Sequence, residues 1–275
     1  MMTSSQVEIA KPEISSPALS TIKPSKSLIS VLPVEIGSAV ASAALITPFI
    51  SIIDKAIFEN ASGRMKLAPA VVSGLRLLVT KPLTFARQPS CYLIWGLYVA
   101  TYTVANTIQA TCESANIDWF YPKFVGTSFA NVTLSVLKDL YFTRAFGKGS
   151  IKPVPLRSYG MYTIRDTMTV FAGFNLPTLM AETLSTNFPI ERRHADVISQ
   201  LVAPCAVQAL SCPLHLYGMD YYNRPGNLGF DQRWAFIKRE YFGTTLARMG
   251  RILPAYGIGG VANKFFRAKG YEMLG

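Results

Sequence analysis

"GSAVASAALITPFISIIDKAIF", Gly37 to Phe58, is the stretch whose reading decides the fold. From Ile36 to Ile53 it runs eighteen residues without a charged side chain, then meets Asp54 and Lys55. About twenty apolar residues in helical form are what it takes to cross the hydrocarbon core of a bilayer. Glycine, alanine and serine recur between the isoleucines, which lets a neighbouring helix approach closely. Pro48 lies inside the run, as prolines do in membrane helices whose freed backbone groups are satisfied by neighbours.

Working outward, five more apolar stretches follow. Gln88 to Cys112 is uncharged throughout, and Val197 to Met219 is uncharged apart from His215. Phe124–Leu137, Thr167–Ala181 and Ile252–Asn263 are shorter and span only if their polar flanks face protein or a water-filled cavity. Charged residues make up only 16% of the chain against about a quarter in ordinary soluble domains, so six short spans fit better than soluble domains. The loops after the first, third and fifth spans are rich in Lys and Arg and those after the second and fourth are not. That alternation places both termini on the less positive side of the membrane.

The net charge of +11 is scattered between apolar runs rather than gathered into a Lys/Arg patch with interleaved aromatics, which argues against nucleic acid. The basic odd loops suit anionic lipid instead. Residues 1–33 begin as a Ser-, Pro- and Thr-rich tail with no apolar signal core and no arginine, and read as disordered. Cys91, Cys112, Cys205 and Cys212 form no C-x-x-C pair and read as small buried hydrophobes. His194 and His215 have no ligand spacing around them, and no nucleophile–base set or phosphate loop stands out. No enzyme activity, metal or cofactor is expected.

The chain also resembles itself. The opening run reaches Pro48 and then Asp54, and "LVAPCAVQALSCPLHLYGMDYY", Leu201 to Tyr222, reaches Pro213 and then Asp220. The middle counterpart, "FVGTSFANVTLSVLKDLYFTRAFG", has Ser135 at the proline's place, with Lys138 and Asp139 following. The second halves align on arginines: Arg87 in "TFARQPSCYLIWGLY", Arg165 in "YTIRDTMTVFAGFN" and Arg251 in "ARMGRILPAYGIGG". Repeats of about 34–113, 121–188 and 196–270 result.

These features make the chain similar to the mitochondrial carrier family. The resemblance covers Val34 to about Gly270 and implies an all-α, six-helix integral membrane bundle of three pseudo-threefold repeats, with short surface helices in the odd loops. It further implies multi-pass placement in a mitochondrial membrane, the inner one first, and alternating-access transport of a small metabolite. The family's ionic gate motifs are missing. Its acid and base places hold Ile50 and Ile53, His215 and Gly218, and Leu137 and Leu140. That absence keeps open an alternative, a carrier-derived adaptor or membrane-organising protein of the outer membrane that no longer transports.

Arginine in a bilayer is costly unless it faces a cavity, finds a partner or snorkels. Arg87, Arg165 with its neighbour Asp166, and Arg251 are therefore the expected substrate contacts, and forked guanidinium hydrogen bonds point to an anionic solute. The competing reading makes the same arginines interface anchors or structural pairs. Lys138, Asp139, Arg248, Asp54, Lys55 and Asp220 are further cavity or gate candidates, and interface capping explains several of them equally well. Packing accounts for Gly257, Gly259 and Gly260.

Overall fold

The computed structural model describes residues 28–148, 153–174, 176–226 and 228–274, and all of its regular structure is helical. The disordered tail expected over 1–33 falls up to residue 27 outside the described residues; from Leu28 the chain is already helix. α1 (Leu28–Ser62) contains the opening stretch with Pro33 and Pro48 inside it. α2 (Leu67–Thr80) follows, with the Asn60 side-chain amide oxygen accepting the Leu67 N–H at 3.0 Å. α3 (Pro82–Ala86) and α4 (Pro89–Ser114) both begin on proline, whose missing N–H costs nothing at that position.

α4 turns into α5 (Phe120–Phe146) through Asn116, which takes a φ of 55° while the Ile117 N–H reaches the Cys112 carbonyl at 2.8 Å. α6 (Leu156–Phe174) and α7 (Leu176–Asn187) come next, with Pro177 in the first turn of α7, where its missing N–H is tolerated. α8 (Arg192–Asn223) carries Pro204 and Pro213. α9 (Phe230–Gly250) passes through Arg251 into a π-helix (Leu253–Gly259) and then α10 (Gly260–Met273). The wider π turn frees backbone acceptors, and the Ala255 carbonyl takes the Tyr102 hydroxyl at 3.1 Å.

α1 is the axis of the packing. It lies most extensively against α4 and also contacts α2, α5, α8, α9, the π-helix and α10, while α8 collects α6, α7 and α9. Ile46, Ile50 and Ile57 of α1 are buried with Phe142, Leu216 and Tyr222 in one core. Phe58 and Phe142 meet edge to face with centroids 5.4 Å apart. α6 and α8 approach closely at Gly218, where an added Cβ would come 2.7 Å from Tyr162.

The outer surface is apolar on many helices at once: Phe49, Val79, Phe129, Leu210, Phe242 and Phe265 all point outward. So much exposed apolar area is the surface of a protein bathed in lipid. By length and composition α1 and the His194–Asn223 part of α8 are long and apolar enough to cross a membrane.

The all-α expectation holds, but the six-span threefold repeat is not reproduced as a regular pattern. Among the described residues, the first unit has its surface helices (α2 and α3), and none lies between α5 and α6. The expected fourth span, 167–181, is shared between the end of α6 and the start of α7. The expected sixth, 252–263, holds the whole π-helix and the start of α10, close after a 21-residue α9.

Candidate functional site

A chain of charges crosses the bundle where α1, α5, α6, α8 and α9 meet. Asp54 of α1 accepts from Lys138 Nζ through Oδ2 at 2.6 Å and from Arg251 through Oδ1 at 2.8 Å. Lys138 Nζ also lies 2.6 Å from its neighbour Asp139, whose other oxygen is 2.5 Å from Arg165 Nη1. Arg165 holds Asp166 in a fork, Nε at 3.0 Å and Nη2 at 2.5 Å. Except for Arg251, each of these side chains is almost wholly shielded. Each Asp139 oxygen is thus taken up by a close contact with a cation.

Taking such charges out of water costs several kcal/mol per ion, and only dense mutual pairing offsets it. The pairing explains why adjacent Lys138–Asp139 and Arg165–Asp166 face inward together, which consecutive helical residues seldom do. Aromatic faces complete the shell: Lys138 lies 5.2 Å from the Phe142 ring and Arg165 5.3 Å from that of Tyr162. Thr143 and Tyr162 share a hydrogen bond of 2.8 Å.

From α8, His215 Nδ1 sits 2.5 Å from Arg165 Nη1. Because a guanidinium only donates, Nδ1 accepts and the ring is neutral with its proton on Nε2. Arg248 of α9, 1% exposed, donates Nη2 to the Gln208 amide oxygen at 2.7 Å. The Gln208 amide nitrogen is itself engaged by the Pro204 carbonyl at 3.0 Å, which fixes the direction of its oxygen.

A second polar layer ties the N-terminal part of α1 to α10 and α4. Glu35, wholly buried, is gripped by Arg267 through Nε at 2.6 Å and Nη2 at 2.9 Å, and it also accepts from the Tyr271 hydroxyl. Asn106 donates to the Glu35 carbonyl and exchanges hydrogen bonds with Asn263 at 3.1 and 2.8 Å. Gln109 accepts from Arg267 and from Lys123 of α5. At 1.5 Å per residue, Glu35 and Asp54 stand about 28 Å apart along α1, close to the thickness of a hydrocarbon core.

Of the residues expected at a site, the structure brings Asp54, Lys138, Asp139, Arg165, Asp166 and Arg251 into one network, with Arg248 beside it. Arg87 does not converge with Arg165 and Arg251. It follows α3 as an exposed C-cap, and among the described residues no acid from another helix reaches it as Asp54 reaches Arg251. Lys55 points away to Glu59 at 3.7 Å and Gln88 at 3.5 Å. Asp220 forms a separate lock with Arg224 and Arg233. The Glu35 layer is absent from the sequence expectations. A lone acid opening an apolar run and asparagines within uncharged ones were its signals. Among the described residues no three His, Cys, Asp or Glu side chains converge to hold a metal.

Comparison with known proteins finds one family whose description, probable citrulline exporter, matches residues 38–270. No curated protein and no solved structure matches. The match overturns the likeness to mitochondrial carriers, which rested on repeat shape and aligned arginines; with it falls the support for a mitochondrial location. Repeat shape is a weak guide, since any bundle of paired helices with small residues and prolines shares it. A match over most of the chain settles membership: the chain is a membrane transporter rather than an enzyme, and it belongs to the probable citrulline exporter family.

Proposed function

We propose that this protein exports a small amino acid bearing a carboxylate, with citrulline the first solute to test, by alternating access through the bundle centred on α1. The family description supplies the solute class. The observation that carries the mechanism is the pair of polar layers about 28 Å apart along α1, the Asp54–Lys138–Asp139–Arg165 network and the Glu35–Arg267–Tyr271 cluster.

Ion pairs joining different helices are natural gates. Each layer holds helices together while intact, and each can come apart if water or a polar solute replaces the lost partners. Between the layers α1 buries Ser38, Ser42 and Thr47, and α4 buries Thr101, so polar groups continue through the apolar bundle. A zwitterion suits this interior, because its carboxylate can meet a guanidinium while its ammonium meets an aspartate. The solute is therefore read as carboxylate-bearing rather than as a bare anion.

The test is reconstitution of the purified protein in liposomes loaded with labelled L-citrulline, L-ornithine, L-glutamate or succinate. The reading expects citrulline to leave protein-containing vesicles faster than empty ones, and faster than succinate does. Equal leakage of every solute from both kinds of vesicle would sink it and turn attention to an adaptor role.

A further inference from the structure

The seam between α8 and α9 holds more polar capacity than it uses. Arg248 is buried, and while its Nη2 is bound to Gln208, its Nε has no partner among the described residues. One turn away on the same helix face, the buried Thr244 hydroxyl has no partner among the described residues, and the buried Thr245 hydroxyl meets only the Cys212 thiol, a weak partner. Across the seam, Ser211 lies three residues beyond Gln208 on α8, and its buried hydroxyl has no partner among the described residues. The register of the seam is fixed by Tyr241, whose hydroxyl donates to the Ala209 carbonyl at 3.0 Å.

The charge balance points the same way. Among the described residues Lys138, Arg165, Arg248 and Arg251 face Asp54, Asp139 and Asp166, and His215 is neutral by its contact with Arg165. Arg248 lies within reach of the charges of Arg165, Arg251 and Asp166. One positive charge in this interior is left without a counter-charge, and it coincides with the guanidinium that has a spare donor. A buried donor left unmade is expensive, and a buried unpaired cation more so.

We propose that the Arg248 seam is the carboxylate subsite of the solute path. The solute's carboxylate accepts from Arg248 Nε, and the Ser211, Thr244 and Thr245 hydroxyls serve the polar atoms around it. This assignment rests on the export reading above and sharpens it by naming the group that binds the solute. Gln208 is then a positioning residue, because its amide turns the guanidinium.

The experiment measures binding of L-citrulline and of citrullinamide, in which a neutral carboxamide replaces the carboxylate, to the purified full chain. It compares wild type with Arg248→Gln, Arg248→Lys and Thr245→Val, each checked by melting for an intact fold. The wild type should favour the acid about tenfold or more, as befits a charge-assisted hydrogen bond in a buried site. Arg248→Gln should cut that preference to about threefold or less. Arg248→Lys should keep part of it, and Thr245→Val should weaken both ligands while preserving the ratio. If Arg248→Gln fails to fold, the Lys and Val variants decide the matter by the same ratio. A wild type that binds both ligands equally, or an Arg248→Gln protein that keeps the full preference, overturns the subsite and leaves export standing. A wild type that binds neither ligand and releases no citrulline from vesicles overturns the export reading as well.

Discussion

Asp139→Asn is the substitution that most sharply probes the buried network. Asp139 is the link between its two halves, 2.6 Å from Lys138 and 2.5 Å from Arg165, and the replacement keeps its shape while removing its charge. Orphaning one partner of a buried pair costs about 3–5 kcal/mol. Here neither cation is orphaned, because Lys138 keeps Asp54 and Arg165 keeps Asp166. The expected cost is therefore near the lower end, about 3 kcal/mol. At about 2–4 °C per kcal/mol for a chain of this size, the melting temperature should fall by about 6–12 °C. Adding Lys138→Met should recover part of the loss, since the excess cation leaves with it, giving a coupling of about 1–3 kcal/mol in the double-mutant cycle. The assay is thermal melting of the four proteins in one detergent. A loss under about 1 kcal/mol, or strict additivity, would refute the claim that coulombic pairing through Asp139 joins the helices.

Asp54→Asn should cost at least as much as Asp139→Asn, because it leaves Arg251 without its carboxylate; melting ranks the two. Glu35→Gln removes the charge that Arg267 grips with two nitrogens and should lower stability by about 3–5 kcal/mol, whereas a drop within about 0.5 kcal/mol would count against that layer as a lock. Gly218→Ala puts a methyl 2.7 Å from Tyr162 and should cost about 1–3 kcal/mol, while Gly96→Ala, with nothing within 4 Å, should be neutral or slightly stabilising in the same melt. Arg87→Ala should change neither the melting temperature nor solute release, and a clear loss of release would restore the arginine to the path.

Helix content and the apolar character of the surface were legible from the sequence, because uncharged runs such as Ile36–Ile53 and Val197–Met219 depend only on local composition. So was the presence of unusual charge beside these runs: Arg165, Asp166, Lys138 and Asp139 stood out as residues a lipid-facing helix would not carry. Their partnership was not legible. Asp54 meets Lys138 and Arg251 across 84 and 197 residues of chain, and spacing along one helix says nothing of such distances. Three aligned arginines suggested equal roles, yet whether an arginine is buried depends on the acid opposite, which Arg251 has and Arg87 lacks. Glu35 escaped notice because it sits at the edge of an apolar run, where an acid ordinarily meets water. Only the return of α10 against α1, bringing Arg267 and Tyr271, makes it buried.

The most direct test of the central claim is the rate of labelled L-citrulline release from liposomes carrying wild-type protein, Asp139→Asn or Glu35→Gln at equal reconstituted amounts. If the two polar layers gate one path, wild type releases citrulline well above empty vesicles and both variants change that rate by about tenfold or more, which requires only about 1.4 kcal/mol of the stability each contact contributes to reach the barrier. Wild-type release that is saturable but unchanged in both folded variants would contradict the account, placing the solute's route away from these layers.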